Sequence, residues 1–129
     1  MSDTLIPQNS CVLVTGGAGF IGSHTVVELL NSGYEAVIVD DLSNASAKVI
    51  DRIKTIVGEE NAKRLSFYEA DVNDADALNH IFDEHAINFV IHFAGFKAVG
   101  ESVTKPIEYY TNNLGNTLTL LDVMRNHGC

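Results

Sequence analysis

Four short, mostly apolar runs alternate with four segments of helical periodicity along this chain of 129 residues. The runs occupy residues 11–15, 36–39, 65–69 and 89–93. Such alternation is typical of βαβ units, in which parallel strands are joined by helices that cover the sheet. Because strands buried on both faces are apolar throughout rather than at every second residue, these runs predict a parallel sheet covered on both sides.

The helical segments carry apolar residues at spacings of three and four, so each one predicts a buried face. The first runs from Phe20 to Ser32, the second spans residues 46–57, the third is capped by Asn73 or Asp74, and the fourth begins near Pro106. The residues predicted to face the sheet are Val26, Leu29 and Leu30; Val49, Ile50, Ile53, Ile56 and Val57; Leu78, Ile81 and Phe82; and Ile107, Tyr110, Leu114, Leu118 and Leu121.

The connections between the runs predict the topology of the sheet. Right-handed crossovers give the strand order 3-2-1-4, with a ligand crevice at the carboxyl ends of strands 1 and 4. The fold class is therefore α/β, a Rossmann-like doubly wound parallel sheet. Since a complete sheet of this kind has further strands, we expect the sheet to be truncated after the fourth strand and fourth helix.

The charge balance excludes several classes of partner. Seventeen acidic side chains oppose eight basic ones, for a formal net charge of -9. We therefore expect no nucleic-acid or anionic-membrane partner, because both require clustered Lys and Arg.

Residues 1–10 lack the basic and apolar regions of a signal peptide, so we expect a cytoplasmic protein. Because Cys11 and Cys129 do not have the spacing of metal ligands, no metal is expected. Cys11 opens an apolar strand and is predicted to be a buried small hydrophobe.

A glycine-rich segment connects the first strand to the first helix. Gly16, Gly19 and Gly22 are spaced G-x-x-G-x-x-G within the sequence TGGAGFIG. Residues without Cβ allow a tight turn, close approach of the backbone to a pyrophosphate, and close packing of the helix on the strand. The free N–H groups and positive dipole end of the helix then favour phosphate. The segment predicts a dinucleotide site.

Acidic residues follow the second and third strands. Asp40 ends the second strand, 18 residues past Gly22, where a carboxylate accepts hydrogen bonds from ribose hydroxyls and repels the extra phosphate of NADP. No Arg in residues 41–45 reverses that preference, so NAD is the predicted cofactor. Asp71, after the third strand, is equally well interpreted as an adenine contact or as a turn former.

The segment after the fourth strand is suited to the same ligand. Ala94 and Gly95 are small enough for a cofactor to lie against the backbone, and Lys97 supplies a cation near the phosphates. His92, inside the strand, is predicted to be structural, as is His24 on the first helix. Asn112 lies within the fourth helix, where Asn is a poor helix former, which suggests a polar task.

Together these segments identify a family. TGGAGFIGSH, VDDLSNA, VIHFAGFKAVGES and KPIEYYTNN closely resemble the UDP-glucose 4-epimerases of the extended short-chain dehydrogenase/reductase superfamily, from about Cys11 to the end of the chain. The glycine motif is common to the whole superfamily and is specific only for the cofactor. The segments that begin at His92 and Lys105 are far more specific.

The resemblance implies an NAD enzyme of galactose metabolism that interconverts UDP-galactose and UDP-glucose through a 4-keto intermediate. It further implies a homodimer, formed in part by the fourth helix, and a UDP-sugar substrate whose phosphate Lys97 can reach. Ala45 stands where family members often have Ser. The residues that the motifs and the resemblance assign to the cofactor are Gly16, Gly19, Phe20, Ile21, Gly22, Asp40, Asp41, Leu42, Ser43, Asn44, Ala45, Asp71, Val72, Phe93, Ala94, Gly95, Phe96, Lys97 and Asn112.

The family's Tyr-x-x-x-Lys motif, in which Tyr acts as the base, does not occur here, since none of the four tyrosines has Lys four residues downstream. We therefore predict no catalytic residue and an inactive chain: an N-terminal extension over residues 1–10, an incomplete NAD-binding domain over 11–129, and no C-terminal substrate domain. Two alternatives stay open. One is a fragment of another NAD-dependent sugar-nucleotide epimerase or dehydratase, and the other is a stand-alone dinucleotide-binding module.

Overall fold

The computed structural model describes residues 10–43, 45–94 and 106–129, and only the backbone of residues 106–116. The predictions that concern residues 1–9, Asn44, residues 95–97 and the side chain of Asn112 therefore lie outside the described residues, as do the side chains of Ile107, Tyr110 and Leu114. The strands are β1 (Cys11–Thr15), β2 (Glu35–Asp40), β3 (Leu65–Glu69) and β4 (Ile87–His92), and the helices are α1 (Phe20–Asn31), α2 (Lys48–Val57), α3 (Glu59–Ala62), α4 (Ala75–Glu84) and α5 (Pro106–His127).

The four described strands form one parallel sheet in the order β3-β2-β1-β4, which confirms the predicted topology. Val14 in β1 pairs with Ile38 in β2 and with Ile91 in β4. All residues of β1 are buried, as expected of a strand with neighbours on both sides and helices on both faces. The carboxyl ends of β1 and β4 therefore lie side by side at the point where the winding reverses.

Two apolar clusters cover the two faces of the sheet. On one face, α1 and α2 bury Leu30 and Ile53 against Ile38. On the other face, α4 and α5 bury Leu78 and Val123 in the cluster that also contains Leu13, Val37 and Cys11. The sheet is thus enclosed between helix layers, and the turns at the strand ends are left to carry a site.

The starts and ends of the helices follow local chemistry. Asp74 caps α4, since its side chain accepts a hydrogen bond from the N–H of Ala77. Gly33, after α1, has φ 95°, a left-handed conformation that glycine adopts without the steric cost of a side chain. Leu78, Ile81 and Phe82 are buried on α4 as predicted. The short α3 was not predicted, because four residues are too few for a periodic signal.

The predicted faces of two helices need correction. Leu118 and Leu121 on α5 are 58% and 53% exposed, whereas Leu120 and Val123 are buried. Apolar residues occur on several sides of this helix, so the spacing alone did not select the side that packs against α4. Ile56 on α2 is also exposed, because Ile50, Ile53 and Val57 already fill the contact with the sheet.

Within residues 10–43, 45–94 and 106–129, none of the helices combines the length and the apolarity that crossing a bilayer requires.

Candidate functional site

The turn between β1 and α1 is held by backbone hydrogen bonds. Gly16 has φ 69°, and its N–H donates to the carbonyl of Val39 in β2 over 2.8 Å. The N–H of Gly19 donates back to the carbonyl of Gly16 over 3.1 Å. Only glycine adopts such a φ without steric cost, so the first glycine sets the direction in which the chain leaves the strand.

The glycines also allow close packing. A Cβ on Gly22 would collide with the carbonyl oxygen of Gly16, and a Cβ on Gly16 would lie 3.0 Å from the nitrogen of Ala94, just past β4. The first turn of α1 therefore lies against the glycine turn, and the glycine turn against the chain leaving β4. Gly17, which the G-x-x-G spacing passes over, is also closely packed, since its Cβ would lie 2.9 Å from side-chain carbons of Ile38.

Helix α1 begins with free donors. Gly19 is the N-cap residue and has no side chain to accept a hydrogen bond, no side-chain cap occurs at this helix start among the described residues, and no acidic residue occupies the first turn. The N–H groups of the first helical turn have no partner within a helix, and they carry its positive dipole end. Phe20 and Ile21 flank these donors with side chains that are 81% and 59% exposed. The arrangement is suited to an anion with an apolar or planar group beside it.

Asp40 joins β2 to the glycine turn. Its Oδ2 accepts the N–H of Ala18 over 3.1 Å, and its Oδ1 accepts the N–H of Leu42 over 2.8 Å. The residue is 9% exposed, so the carboxylate is nearly enclosed by the backbone that it orders. An ionised carboxylate has about four acceptor positions, and further donors can therefore still bind to it.

The segment that follows β2 is a strained, polar turn. Leu42 has φ 61°, which is unusual for a residue with a side chain, and the bond from its N–H to Asp40 helps to hold it there. Asp41 Oδ1 accepts the N–H of Ser43 over 3.0 Å. Asp41 and Ser43 are exposed, and Ala45 is half-buried. The segment is thus joined to the Asp40 carboxylate through the N–H of Leu42.

The exit of β3 favours the turn interpretation of Asp71. Its Oδ1 accepts the N–H of Asn73 over 2.8 Å, and its carbonyl accepts the N–H of Asp74 over 2.9 Å. The next residue, Val72, is buried in the core. A ligand at this edge could therefore meet the exposed Asp71, but it could not meet the side chain of Val72.

The exit of β4 is fastened to the end of β1 by Thr15, to which the motif analysis assigned no role. Its Oγ1 lies 2.6 Å from Nδ1 of His92, and it accepts the N–H of Ala94 over 3.2 Å. The N–H of Phe93 donates to the carbonyl of Thr15 over 3.0 Å. The available signal in the sequence was the position of Thr15, a polar residue at the end of an otherwise apolar strand.

These contacts bring the glycine turn, the Asp40 carboxylate and the first residues past β4 to one edge of the sheet. Asp71 lies at the outer end of that edge, after β3. In the part of the chain that the structure describes, no cluster of His, Cys, Asp or Glu is suited to a metal ion. The chemistry available here is the binding of an anion and of hydroxyl groups.

The sequence of this chain matches a known family and known proteins. A family model described as GDP-mannose 4,6 dehydratase matches residues 13–129. UDP-glucose 4-epimerase 2 of Arabidopsis thaliana is 58% identical to this chain, over 92% of this chain and 33% of the relative. UDP-glucose 4-epimerase of Bacillus subtilis is 57% identical, over 91% of this chain and 33% of the relative. The chain thus spans about a third of the length of the curated relatives it matches.

Solved structures agree with these relatives. UDP-glucose 4-epimerase from Bifidobacterium longum, in complex with NAD+ and UDP, superposes with a TM-score of 0.86 at 52% identity, over 92% of this chain and 34% of that one. The enzyme from Stenotrophomonas maltophila, with bound NAD and formylated UDP-arabinopyranose, gives 0.85 at 44% identity, over 92% and 34%. The chain is therefore similar to the epimerases in backbone as well as in sequence.

Proposed function

This chain belongs to the GDP-mannose 4,6-dehydratase family, and we propose that residues 11–129 form the NAD-binding part of a UDP-glucose 4-epimerase. The proposal extends to the whole protein the activity that the names of its relatives state, the interconversion of UDP-galactose and UDP-glucose. Residues 1–10 are then an N-terminal extension, and the UDP-sugar is held largely by residues that these 129 do not supply.

The free start of α1 is the observation that carries the proposal. The first turn has no side-chain cap and no acid among the described residues, and Gly22 lets it lie directly against the glycine turn. A pyrophosphate at this position would accept hydrogen bonds from the first-turn N–H groups and would lie at the positive end of the helix dipole. Phe20 and Ile21 are the exposed side chains that would meet it.

Asp40 supports NAD in preference to NADP. Its carboxylate is nearly buried and holds two backbone N–H groups, which fixes its position, and it retains acceptor positions for the two hydroxyls of a ribose. A ribose phosphate would lie close to this fixed negative charge and be repelled. When bound, NAD would supply the chemistry of accepting a hydride from the sugar C4 and returning it to the sugar.

The remaining cofactor contacts follow from the resemblance. We propose that Asp41, Leu42, Ser43, Asn44 and Ala45 line the adenosine ribose. Asp71 and Val72 would approach the adenine, the latter through its backbone. Phe93, Ala94, Gly95, Phe96 and Lys97 would lie along the nicotinamide half, Asn112 would support the cofactor from α5, and Lys97 would also reach the substrate phosphate.

We propose that these 129 residues alone catalyse no epimerisation. Oxidation at the sugar C4 requires a base that takes the hydroxyl proton, a contribution of typically 10²–10⁴-fold. No Tyr-x-x-x-Lys occurs in the sequence. His92 is engaged with Thr15 inside the sheet.

We also propose a homodimer and a cytoplasmic location. Within the described sheet β4 is an edge strand, Phe89 on it is 41% exposed, and Leu118 and Leu121 project from α5. Exposed strand edges and apolar helix faces favour association. The cytoplasmic location is proposed because residues 1–10 lack the pattern of a signal peptide and because the proposed substrate is a nucleotide sugar.

A second candidate, another NAD-dependent sugar-nucleotide enzyme such as a dehydratase, is favoured by the description of the family model. Both candidates use the same cofactor. They differ in the sugar chemistry, and a coding sequence that extended past codon 129 would distinguish them through the residues around a Tyr-x-x-x-Lys motif.

Two measurements test the proposal. Calorimetric titration of the chain with NAD and with NADP should give tighter binding of NAD. An assay of UDP-galactose conversion, with chain purified from a host that lacks its own epimerase, should give no turnover above background. Absence of NAD binding, or a preference for NADP, would contradict the cofactor assignment. Turnover would mean that these residues contain a base.

A further inference from the structure

Phe20 is a large apolar side chain that is 81% exposed at the first position of α1. Such exposure leaves an aromatic ring with few contacts to fix its orientation. His24, one helical turn later, supplies one. The two ring centroids lie 4.7 Å apart, and the ring planes are tilted by 50°. This separation lies within the range of favourable aromatic contacts.

His24 also holds the backbone of Phe20. Its Nδ1 lies 2.7 Å from the Phe20 carbonyl oxygen. Because a carbonyl only accepts hydrogen bonds, the proton is on Nδ1, and this bond fixes the orientation of the imidazole. Ser23 Oγ donates to the same carbonyl over 3.0 Å. The Phe20 carbonyl therefore accepts hydrogen bonds from two side chains. Of these two, His24 is the one that also contacts the Phe20 ring.

We propose that His24 is a positioning residue for the dinucleotide and that it acts through Phe20. The bond to the carbonyl orients the imidazole, and the imidazole then restrains the Phe20 ring beside the first-turn N–H groups. A side chain that is ordered before binding loses less conformational entropy when the ligand arrives, and affinity rises accordingly. This inference rests on the proposed function, since it concerns a residue that supports the NAD site.

The test is a set of NAD titrations with variants of the chain. His24→Ala should raise the Kd for NAD about 3- to 10-fold, the range of one lost contact. His24→Phe keeps a ring against Phe20 and loses the Nδ1 donor, while the bond from Ser23 to the same carbonyl remains, so its Kd should stay within about 2-fold of wild type. His24→Asn keeps a donor in the place of Nδ1 without the ring, and it should resemble His24→Ala.

A double-mutant cycle shows whether His24 acts through Phe20. In a Phe20→Ala background, His24→Ala should leave the Kd unchanged. A purely structural role would lower the unfolding temperature of His24→Ala without changing its Kd, and that result would overturn the inference. An undiminished effect of His24→Ala on the Kd in the Phe20→Ala background would overturn it as well. Wild-type chain that binds no NAD would contradict the proposed function itself, and the positioning role with it. Binding by wild type with an equal Kd for His24→Ala would contradict the positioning role alone.

Discussion

The hydroxyl of Thr15 lies 2.6 Å from Nδ1 of His92 and joins the last residue of β1 to the last residue of β4. The same oxygen accepts the N–H of Ala94 over 3.2 Å. Thr15 is fully buried, so water cannot replace the hydroxyl if it is removed. One side chain thus fixes where the chain leaves β4 relative to the glycine turn.

Thr15→Val should destabilise the chain by about 1–3 kcal/mol, because it removes a partner of the Ala94 N–H and of the His92 ring at a part-buried position. Thr15→Ser keeps the hydroxyl and is the matched control. Its loss should be smaller and confined to the missing methyl group. Urea unfolding followed by circular dichroism measures both, and equal stabilities for the two variants would contradict a role for the hydroxyl.

Gly22→Ala should be among the more damaging single-methyl changes in the turn. The added Cβ would meet the Gly16 carbonyl oxygen, a backbone atom that cannot move without distorting the tight turn. The expected cost is about 1–3 kcal/mol, with weaker NAD binding. Gly19→Ala is the matched control, since its Cβ would lie 3.3 Å from the same oxygen and needs only a small adjustment. Equal midpoints of thermal unfolding would refute the difference.

The sequence predicted the strand order because burial and chain connection leave few options. Apolar runs mark buried strands, and right-handed crossovers then give β3-β2-β1-β4. It also predicted the glycine turn and the position of Asp40, since both depend on neighbours along the chain. Leu118 and Leu121 on α5 were misassigned because the buried side of a helix depends on what packs against it. No property of the helix sequence by itself contains that information.

The missed site residues have a common physical cause. Thr15 and Gly17 matter through partners that are distant in sequence, His92 for one and Ile38 for the other. Arg64, a structural residue outside the site, is a similar case, because its contacts to the end of α1 arise only when β3 pairs with β2. Spacing rules describe local geometry, and they cannot show which side chains meet across the sheet.

Arg64 holds the carboxyl end of α1. Its guanidinium donates to the Leu30 carbonyl over 2.6 Å and to the Tyr34 carbonyl over 3.3 Å, and also to Asn61 Oδ1 over 2.6 Å. The cation further complements the negative end of the helix dipole. Arg64→Ala should cost roughly 2–3 kcal/mol of unfolding free energy, since it leaves charge-assisted hydrogen bonds unmade.

Two control variants make the prediction for Arg64 specific. Arg64→Lys keeps the charge and loses the planar set of donors, so it should recover less than half of the loss. Arg125→Ala removes an exposed arginine whose pair with Asp122 lies on the surface, and it should change stability by less than about 0.5 kcal/mol. Equal losses for the alanine variants at 64 and 125, in denaturant titrations, would contradict the assignment.

Cys11 makes stability depend on pH. Burial raises the pKa of its thiol from 9.0 to about 11, and the nearby Glu35 carboxylate adds to the shift. The unfolded chain therefore loses this proton at lower pH than the folded chain, and stability is full below pH 9 and falls as pH rises toward 11. The loss is at most roughly 2–3 kcal/mol.

Denaturant titrations between pH 8 and 11, under reducing conditions, measure this loss. Cys11→Val should retain more of its stability over that range than wild type does. Cys129→Val leaves the Cys11 thiol in place, so it should keep most of the decline. A wild-type profile that is flat across the range would contradict the assignment to Cys11.

Asp40 combines a structural and a selective role, and substitutions can separate the two. Its carboxylate accepts the N–H groups of Ala18 and Leu42, so Asp40→Ala should lose stability as well as affinity for NAD. Asp40→Asn preserves the shape and one acceptor oxygen while removing the charge. If the charge excludes a ribose phosphate, the preference for NAD over NADP should fall roughly tenfold in this variant.

Asp51→Asn, at an exposed residue of α2, is the control for Asp40→Asn. It makes the same change in net charge and should leave the ratio of the two Kd values at its wild-type level. Calorimetric titration of the three chains with each dinucleotide, at fixed ionic strength, provides the comparison. An unchanged ratio in Asp40→Asn would show that the discrimination arises elsewhere, and Asp40 would then keep only its structural role in holding the glycine turn against the end of β2.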